Sequence, residues 1–286
     1  MKLSVLAAAL CLAHTMASAE AMTPEQRKEA FRKLVWHVGP AAEMIAGKAT
    51  LKTADDQTEF LDEKNSRRFL ELTGNLPEDG NFILLKTDAD WWADFSFNPS
   101  GYVKDGEKID ADELLKTLKS YDEAANAERK RLGLRPLYTE GWHVPPHYDT
   151  ATKRLEWGLK LRSEDRISVN YTIRILGRTG VMNATLISDP QSLDSDIVSF
   201  RKTLEGFDFN SGEHYSEFRP GDHVAEYGLA ALITGGAAAV ATKKGFWAIA
   251  AGFLASAWKA IVAVAVAAGA GLKSMFSRKK NDRDAG

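Results

Sequence analysis

The sequence predicts an α+β fold, in which helices cover an antiparallel β-sheet, followed by a C-terminal membrane-anchoring helical segment. Apolar and polar residues alternate over 155–161, 167–175 and 181–188, and short polar turns join these runs. A period of two is typical of consecutive antiparallel strands. Helical periodicity precedes the strands over 110–131 and follows them over 190–204. Because strands and helices are grouped rather than strictly alternating, the pattern favours α+β over a parallel α/β sheet.

Local signals define the elements of the N-terminal part. Thr23 can cap a helix, Pro24 suits its first position, and Gln26 completes a capping box. The remaining segments predict strands over 49–53 and 60–61, a helix over 65–72 that ends at Gly74, and a strand pair over 82–85 and 91–97.

The central and last elements follow from periodicity. Asp110 and Glu113 form a capping-box pair at the start of one helix that runs to about residue 131. The three alternating runs predict an antiparallel meander with one buried face. Asp189-Pro190 opens the last helix, and Gly206 ends it. The apolar face of that helix consists of Leu193, Ile197, Phe200 and Leu204.

The N-terminus has the pattern of a signal peptide over residues 1–19. Lys2 precedes a short apolar core over 3–12, and Ala17-Ser18-Ala19 gives the small-x-small cleavage pattern. Cleavage after Ala19 leaves a soluble domain over 20–222. Cys11, the one cysteine of the sequence, lies in the segment that would be removed. The sequence therefore predicts no disulfide, thiol nucleophile or thiolate metal site in the exported chain.

The C-terminus predicts a hydrophobic membrane anchor over 223–272 and a basic cytoplasmic tail over 273–286. The apolar block 228–242 is too short to cross a bilayer core of about 30 Å as a helix, whereas 246–272 is long enough. The basic cluster after the second block favours the cytoplasm. We therefore expect a single-pass protein of the bacterial inner membrane with its domain in the periplasm, and block 228–242 at the outer surface or beside the span. The alternative makes block 228–242 a thin span and 246–272 an interfacial helix.

The predicted anchor carries aromatic and basic side chains at characteristic places. Lys259 lies near the middle of the span, where a lysine costs about 2.5–3.5 kcal/mol on insertion scales. It is a tolerated polar residue, or else an oligomer contact or ion site. Small residues such as Gly252 and Gly269 would allow self-association through the anchor. The anchor residues are Phe246, Trp247, Trp258, Lys259, Arg278, Lys279 and Lys280.

Charge and motifs exclude several function classes. The formal net charge is −2, from 37 basic and 39 acidic residues, and no basic stripe indicates nucleic-acid binding. The sequence has no nucleophile elbow, zinc-protease helix, phosphate-binding loop or dinucleotide fingerprint. We therefore predict no cofactor and assign no catalytic residue. The predicted partners are the lipid bilayer and a protein of the envelope.

One aromatic and proline-rich segment is the candidate interaction patch. Its residues are Trp142, His143, Pro145, Pro146, His147, Tyr148 and Asp149. Trp and Tyr beside rigid prolines are typical anchors of a contact surface, although the same residues would also suit a rigid connector at the sheet edge. The spacing of His143 and His147 matches a zinc-binding helix, but Pro145-Pro146 forbids that helix. With Asp149 as the only further ligand nearby, no metal site is predicted.

Several stretches together resemble one known family. They are 65–70, 100–105, 141–142, 145–149, 169–171, 176–178 and 227–232. These stretches resemble the domain-of-unknown-function family 2167, which groups membrane-anchored bacterial envelope proteins. The resemblance implies an exported, membrane-attached protein and carries over no catalytic residue. The meander, with Ser199-Phe200 and Phe207-Asp208-Phe209, is also similar to small α/β sandwich domains of the photosystem-accessory type.

These observations favour a non-enzymatic, membrane-tethered interaction module that presents its sheet or the segment 142–149 to an envelope partner. One alternative is a metal-dependent or histidine-based hydrolase using His143, His147 and Asp149. The other alternative is a binder of lipid or a small ligand between the sheet and the helices.

Overall fold

The computed structural model describes residues 23–73, 79–89, 91–131 and 135–234. The predicted signal peptide 1–19, the span 246–272 and the anchor residues Phe246 to Lys280 lie outside these residues. Helix α1 (Pro24–Arg32) belongs to a separate unit that ends at Lys33. The Thr23 hydroxyl accepts a bond from the Gln26 N–H, and the Gln26 side chain accepts one from the Thr23 N–H. The predicted capping box is therefore confirmed.

The second unit begins at Leu34 and contains strands and helices in mixed order. In chain order they are β1 (His37–Val38), β2 (Ala41–Ile45), β3 (Ala49–Thr53), β4 (Thr58–Leu61), α2 (Glu63–Leu72), β5 (Asn81–Lys86), β6 (Trp91–Asn98), α3 (Ala111–Ser120), α4 (Asp122–Arg131), β7 (Tyr138–Asp149), β8 (Arg154–Ser163), β9 (Arg166–Leu176), β10 (Val181–Ile187), α5 (Leu193–Thr203), β11 (Phe207–Phe209) and α6 (Leu229–Thr234).

The strands form two antiparallel sheets. The larger sheet has eight strands in the order β1-β4-β5-β6-β10-β9-β8-β7, and the smaller has the order β11-β3-β2. Every strand pair is antiparallel. The predicted antiparallel sheet with helices is thus confirmed.

Both faces of the eight-stranded sheet carry an apolar core. On the first face, Tyr171 and Ile173 of β9 pack with Phe200 of α5 and Leu51 of the smaller sheet. On the second face, Leu155 and Trp157 of β8 cluster with residues of α3 and α6. Helix α2 also lies on the second face, where the ring of Phe69 contacts that of Trp92 at 5.2 Å between centroids.

The prediction of one buried face for the meander is wrong, and the β8–β9 turn explains why. Ser163 pairs with Arg166, so only two residues form the turn, and Trp157 pairs with Thr172. Directly paired residues share a face of a sheet. The apolar residues of β8 therefore point to the second face, whereas those of β9 point to the first.

Two predicted helices have different bounds in the structure. The helix predicted over 110–131 is divided at Tyr121, because Asp122 binds the backbone N–H and the hydroxyl of Thr139 in β7, at 2.8 and 2.9 Å. The last helix begins at Leu193 rather than at Asp189-Pro190. There the Asp189 carboxylate accepts a bond from the Gln191 N–H, which holds a turn before the helix.

The strands predicted over 49–53, 60–61, 82–85 and 91–97 are confirmed within β3, β4, β5 and β6, and the helix over 65–72 within α2. The sequence patterns do not predict strands β1, β2 and β11 or the full length of β7. Strand β1 has two residues, both exposed. The burial of β2 alternates along the strand, but its inward residues include Glu43 and its outward ones Met44, so the residue types do not alternate.

The first apolar C-terminal block begins on the domain itself. Leu229 and Leu232 of α6 are fully buried and belong to the cluster of the second face. Across the described ranges, no helix has the length and apolar character needed to cross a membrane. The span over 246–272 and the domain boundary at residue 222 remain predictions.

Candidate functional site

The predicted patch, Trp142 to Asp149, lies on β7, one of the two edge strands of the large sheet. The β7–β8 register shifts at three places along this strand. Trp142 and Tyr148 point to the second face, where both are partly buried. The Trp142 indole N–H donates to the carbonyl of Ala111 at 3.0 Å, which ties β7 to the start of α3.

Tyr148 belongs to a small polar network rather than to an open surface. Its hydroxyl donates to the Asp105 carboxylate at 2.8 Å, and the Lys153 ammonium binds the same oxygen at 2.8 Å. Burial alone would raise the pKa of Asp105, but the bonds from Lys153 and Tyr148 outweigh it and lower that pKa. Burial and the bond to Asp105 raise the pKa of the Tyr148 phenol. Both groups keep fixed protonation states near neutral pH.

The two histidines of the patch point to the first face, away from Trp142 and Tyr148. His143 lies 2.7 Å from the Asp194 carboxylate of α5. His147 is exposed and pairs in register with Glu156, whose carboxylate binds Arg201 of α5. Asp149 accepts bonds from Ala151 and Thr152 in the next turn. Pro145 is exposed and Pro146 is half-buried.

The alternative metal centre at His143, His147 and Asp149 has no further ligand in this structure. Within the described ranges, no three side chains of His, Cys, Asp or Glu lie together as ligands would. His143 is engaged with α5, and Asp149 with its own turn. The segment therefore presents Pro145 and His147 to solvent and uses its aromatic residues for packing.

A second site lies on the second face, at the centre of the large sheet. Helix α2 packs on β4 and β5 at one side, and α3 and α6 belong to the core over β7 and β8 at the other. Between them, β6, β10 and β9 carry half-buried polar side chains. We name this place the sheet groove, with a floor of Asp94, Ser96, Thr172, Arg174, Asn183 and Thr185.

The strand register arranges the floor in two rows. Asp94 pairs with Thr185, and Thr185 pairs with Thr172. Ser96 pairs with Asn183, and Asn183 pairs with Arg174. The carboxyl and the guanidinium therefore occupy diagonal corners. From strand geometry, their Cα atoms are about 12 Å apart, and no ion pair joins them.

Asp94 has an unusual environment for a carboxylate. Both of its oxygens accept bonds from the Asn81 amide, at 2.8 and 2.7 Å. Burial raises the pKa of Asp94 to about 7, and the bond from Asn81 only partly opposes this. A carboxyl whose pKa lies near neutral pH is more common at functional sites than elsewhere.

Arg174 is the charged group at the opposite corner. Its guanidinium lies over the Trp157 ring, 5.6 Å from the ring centroid. Its Nε is buried and has no hydrogen-bond partner among the described residues. Burial lowers the pKa of Arg174 to about 10, and the nearby Tyr227 partly opposes this shift. The side chain therefore stays charged at neutral pH without a carboxylate partner in the described part of the chain.

Asn183, beside Arg174, also has an unused polar atom. Its amide donates to the Ser96 hydroxyl at 3.3 Å, whereas its Oδ1 is buried and accepts no bond from a described residue. Buried polar atoms are nearly always paired in proteins, so those that are not call for a functional explanation. The groove thus offers a free donor on Arg174 and a free acceptor on Asn183 to a bound molecule. The hydroxyls of Thr172 and Thr185 lie 3.5 Å apart and bond to each other.

Sequence reasoning missed this site because it assigned the polar residues of β9 to a solvent-facing side. The signal that finds them is the two-residue turn Glu164-Asp165, which fixes the phase between β8 and β9. With that phase, Thr172 and Arg174 share a face with the apolar residues of β8. The sequence then shows that polar side chains of β9 lie beside apolar side chains of β8 on one face of the sheet.

Comparison with known proteins gives a family and one structural similarity. The solution structure of cyanobacterial PsbP (CyanoP) from Synechocystis sp. PCC 6803 is 9% identical, with a TM-score of 0.36 over 62% of this chain and 92% of that chain. A TM-score at this level supports no statement about shared function. No curated protein sequence matches the chain. The family model described as "Protein of unknown function (DUF2167)" matches residues 37–269, so the chain belongs to this family.

Proposed function

We propose that the chain is a membrane-tethered binding module of the bacterial envelope, and that the sheet groove is where it takes a polar ligand. The observation that carries this proposal is the presence of unpartnered polar atoms on Arg174 and Asn183 at the floor of the groove. A buried polar group without a partner costs about 1–3 kcal/mol. A bound molecule that supplies the missing partners would recover this cost.

The architecture around the groove supports binding at this place. Pockets between sheets and helices are common ligand sites, with a few polar groups that fix orientation. Here Trp92 and Phe69 pack together in the core on the α2 side, and Trp157 is buried at the other side next to Arg174. Rigid strands hold the floor residues, which favours a preformed site.

The groove is a better candidate than the segment 142–149. The aromatic residues of that segment are engaged with Ala111 and Asp105, so little apolar surface remains for a partner. A role for Pro145 and His147 in a protein contact stays a second hypothesis. The envelope location rests on the sequence patterns at residues 1–19 and 246–272.

The test is site-specific photo-cross-linking of the full-length protein in native membranes. A benzophenone amino acid replaces Thr172 on the groove floor, or Val198, which is 66% exposed on α5 at the other face. Mass spectrometry then reads the mass added at each position. We expect a discrete adduct at position 172 that is absent at position 198. Identical products at both positions, or none at position 172, would refute the proposal.

A further inference from the structure

We infer that Arg174 forms a recognition site for an anionic group, a carboxylate or a phosphate, at one corner of the sheet groove, and that the free Asn183 Oδ1 beside it accepts a hydrogen bond from a donor group of the same ligand. This inference rests on the proposed function and gives the chemical class of the ligand. Three properties of the groove carry it: the geometry of the arginine, the cost of leaving the guanidinium unpaired, and the limits that Asp94 sets on the ligand.

The geometry is that of an arginine positioned for a partner outside the described protein. Arg174 lies on β9 with β8 and β10 paired on either side, so its backbone is fixed by both neighbours. Trp157 supports the guanidinium from below. Stacked, preorganised guanidinium groups are suited to bind carboxylate and phosphate oxygens in a fixed geometry.

Two other arginines of the domain, one half-buried and one exposed, each pair with a carboxylate. Arg178 binds both oxygens of Asp222, each at 2.7 Å. Arg201 binds Glu156 through two of its nitrogens, at 2.9 and 2.6 Å. Arg174 has neither kind of partner among the described residues. A half-buried arginine whose Nε is buried without a partner is unfavourable, so its retention at this place supports a role in binding.

The opposite corner of the groove restricts the ligand. Asp94 is about 12 Å away by strand geometry, and its carboxyl gains a negative charge above about pH 7. A polyanion that covered the whole floor would be repelled by this negative charge. The site therefore fits a ligand with one anionic end at Arg174 and hydrogen-bond donors toward Thr172, Thr185 and Asp94.

The first experiment measures anion-dependent thermal stabilisation of the full-length protein in detergent. Inorganic phosphate, acetate and chloride are compared at equal ionic strength for the wild type, Arg174→Met and Arg162→Met. The Arg162 side chain of β8 is 43% exposed, so its variant loses the same charge away from the groove. We expect phosphate or acetate to raise the Tm of the wild type and of Arg162→Met, with at least a tenfold weaker effect on Arg174→Met.

The same variants separate binding from a structural role. In the absence of anions, Arg174→Met should unfold at the wild-type temperature or above it, because it removes a half-buried charge whose Nε has no partner among the described residues. A purely structural arginine would show a lower Tm on replacement. An unchanged anion response in Arg174→Met, or an equal loss in Arg162→Met, would overturn the inference.

A second measurement on the unmodified chain decides the question if Arg174→Met does not fold. Phenylglyoxal modifies arginines, and peptide mass spectrometry quantifies the product at Arg174 and at Arg162 in one sample. We expect phosphate or acetate to slow the reaction at least threefold at Arg174 and not at Arg162. Equal rates with and without anions, or an Arg174 that never reacts, would overturn the inference.

The same phenylglyoxal reaction in lipid nanodiscs distinguishes a lipid phosphate from a free anion as the source of the anionic group. Protection of Arg174 in phosphatidylglycerol nanodiscs, but not in phosphatidylcholine nanodiscs, would identify a lipid phosphate. Protection by soluble phosphate or acetate alone would identify a free ligand. If position 172 captures a ligand while Arg174 shows no protection by any anion, the groove remains a binding site and only its anionic class is wrong.

Discussion

At the scale of single residues, the groove contains side chains that a purely structural sheet would not need. Asp94 and Arg174 both have pKa values shifted toward their neutral forms, and burial is the main cause in each case. Proteins usually place such groups in water or in ion pairs. Their positions on central strands make the same residues important for stability and for the proposed binding.

Asp94 makes the stability of the protein depend on pH in a defined window. Its pKa in the folded state is about 7, above the ordinary value of 3.8. The stabilisation from its protonated form is complete below 3.8 and is lost as the pH rises through about 7. We expect the unfolding free energy of Asp94→Asn, relative to the wild type, to rise over this window. Urea unfolding at several pH values measures the difference.

A matched control for this prediction is Asp165→Asn, on the exposed turn between β8 and β9. Its unfolding free energy should follow the wild type across the same pH range. A profile for Asp94→Asn that runs parallel to the wild type would show that Asp94 is ionised in the folded state at all these pH values.

Tyr148 and His147 are neighbours in sequence with different expected effects. Tyr148→Phe removes a hydrogen bond to a charged acceptor and should lower the unfolding free energy by about 1–3 kcal/mol. His147→Ala changes an exposed residue and should change it by less than about 0.5 kcal/mol. Urea unfolding measures both variants. Equal effects would mean that the hydrogen bond from Tyr148 to Asp105 contributes nothing to stability.

At the scale of elements, the segment after α5 comes very close to the backbone of the small sheet. A Cβ at Gly206 would lie 2.0 Å from the Lys52 carbonyl oxygen of β3. Gly206→Ala should therefore lower the unfolding free energy by about 1–3 kcal/mol. Gly141→Ala in β7 is the control, because no atom lies within 4 Å of the place that its added methyl group would take. Thermal unfolding that finds Gly141→Ala less stable than Gly206→Ala would contradict this assignment.

An element can be predicted from the sequence when the interactions that determine it join residues close together in the chain. The capping box at Thr23 and the strands β8, β9 and β10 depend on local residues, and local patterns predict each of them. The break at Tyr121 depends on the bond from Thr139 to Asp122, which are distant in sequence. β11 pairs with β3 across most of the chain. Interactions of this kind leave no local pattern.

The candidate site is less predictable than the fold. Trp142 and Tyr148 stand out in the sequence because aromatic residues beside prolines suggest a contact surface, and that role remains a prediction. To predict the groove from the sequence, one must know which residues of β8 and β9 share a face and that β6 pairs with β10. The second requirement joins residues far apart in the chain, such as Asp94 and Thr185, and no periodicity within either strand indicates it.

At the scale of the whole molecule, the start of the apolar C-terminal block is part of the domain core. Leu232→Ala in the full-length chain should lower the unfolding free energy by about 2–5 kcal/mol, since the side chain is fully buried. Val198→Ala, at an exposed position of α5, should change it by less than about 0.5 kcal/mol. Thermal unfolding in detergent compares them. Two equal values would mean that α6 contributes nothing to the domain.

The pairing of β6 with β10 has a consequence for the order in which the protein becomes active. This pair joins a strand group from the first part of the chain, β1-β4-β5-β6, to one from the second, β7 to β10. The groove floor takes Asp94 and Ser96 from the first group and its other residues from the second. A growing chain therefore lacks a complete groove floor until β10 has been synthesised. If the proposed groove binds its ligand, ligand capture would mark a finished molecule, and incomplete chains would remain empty.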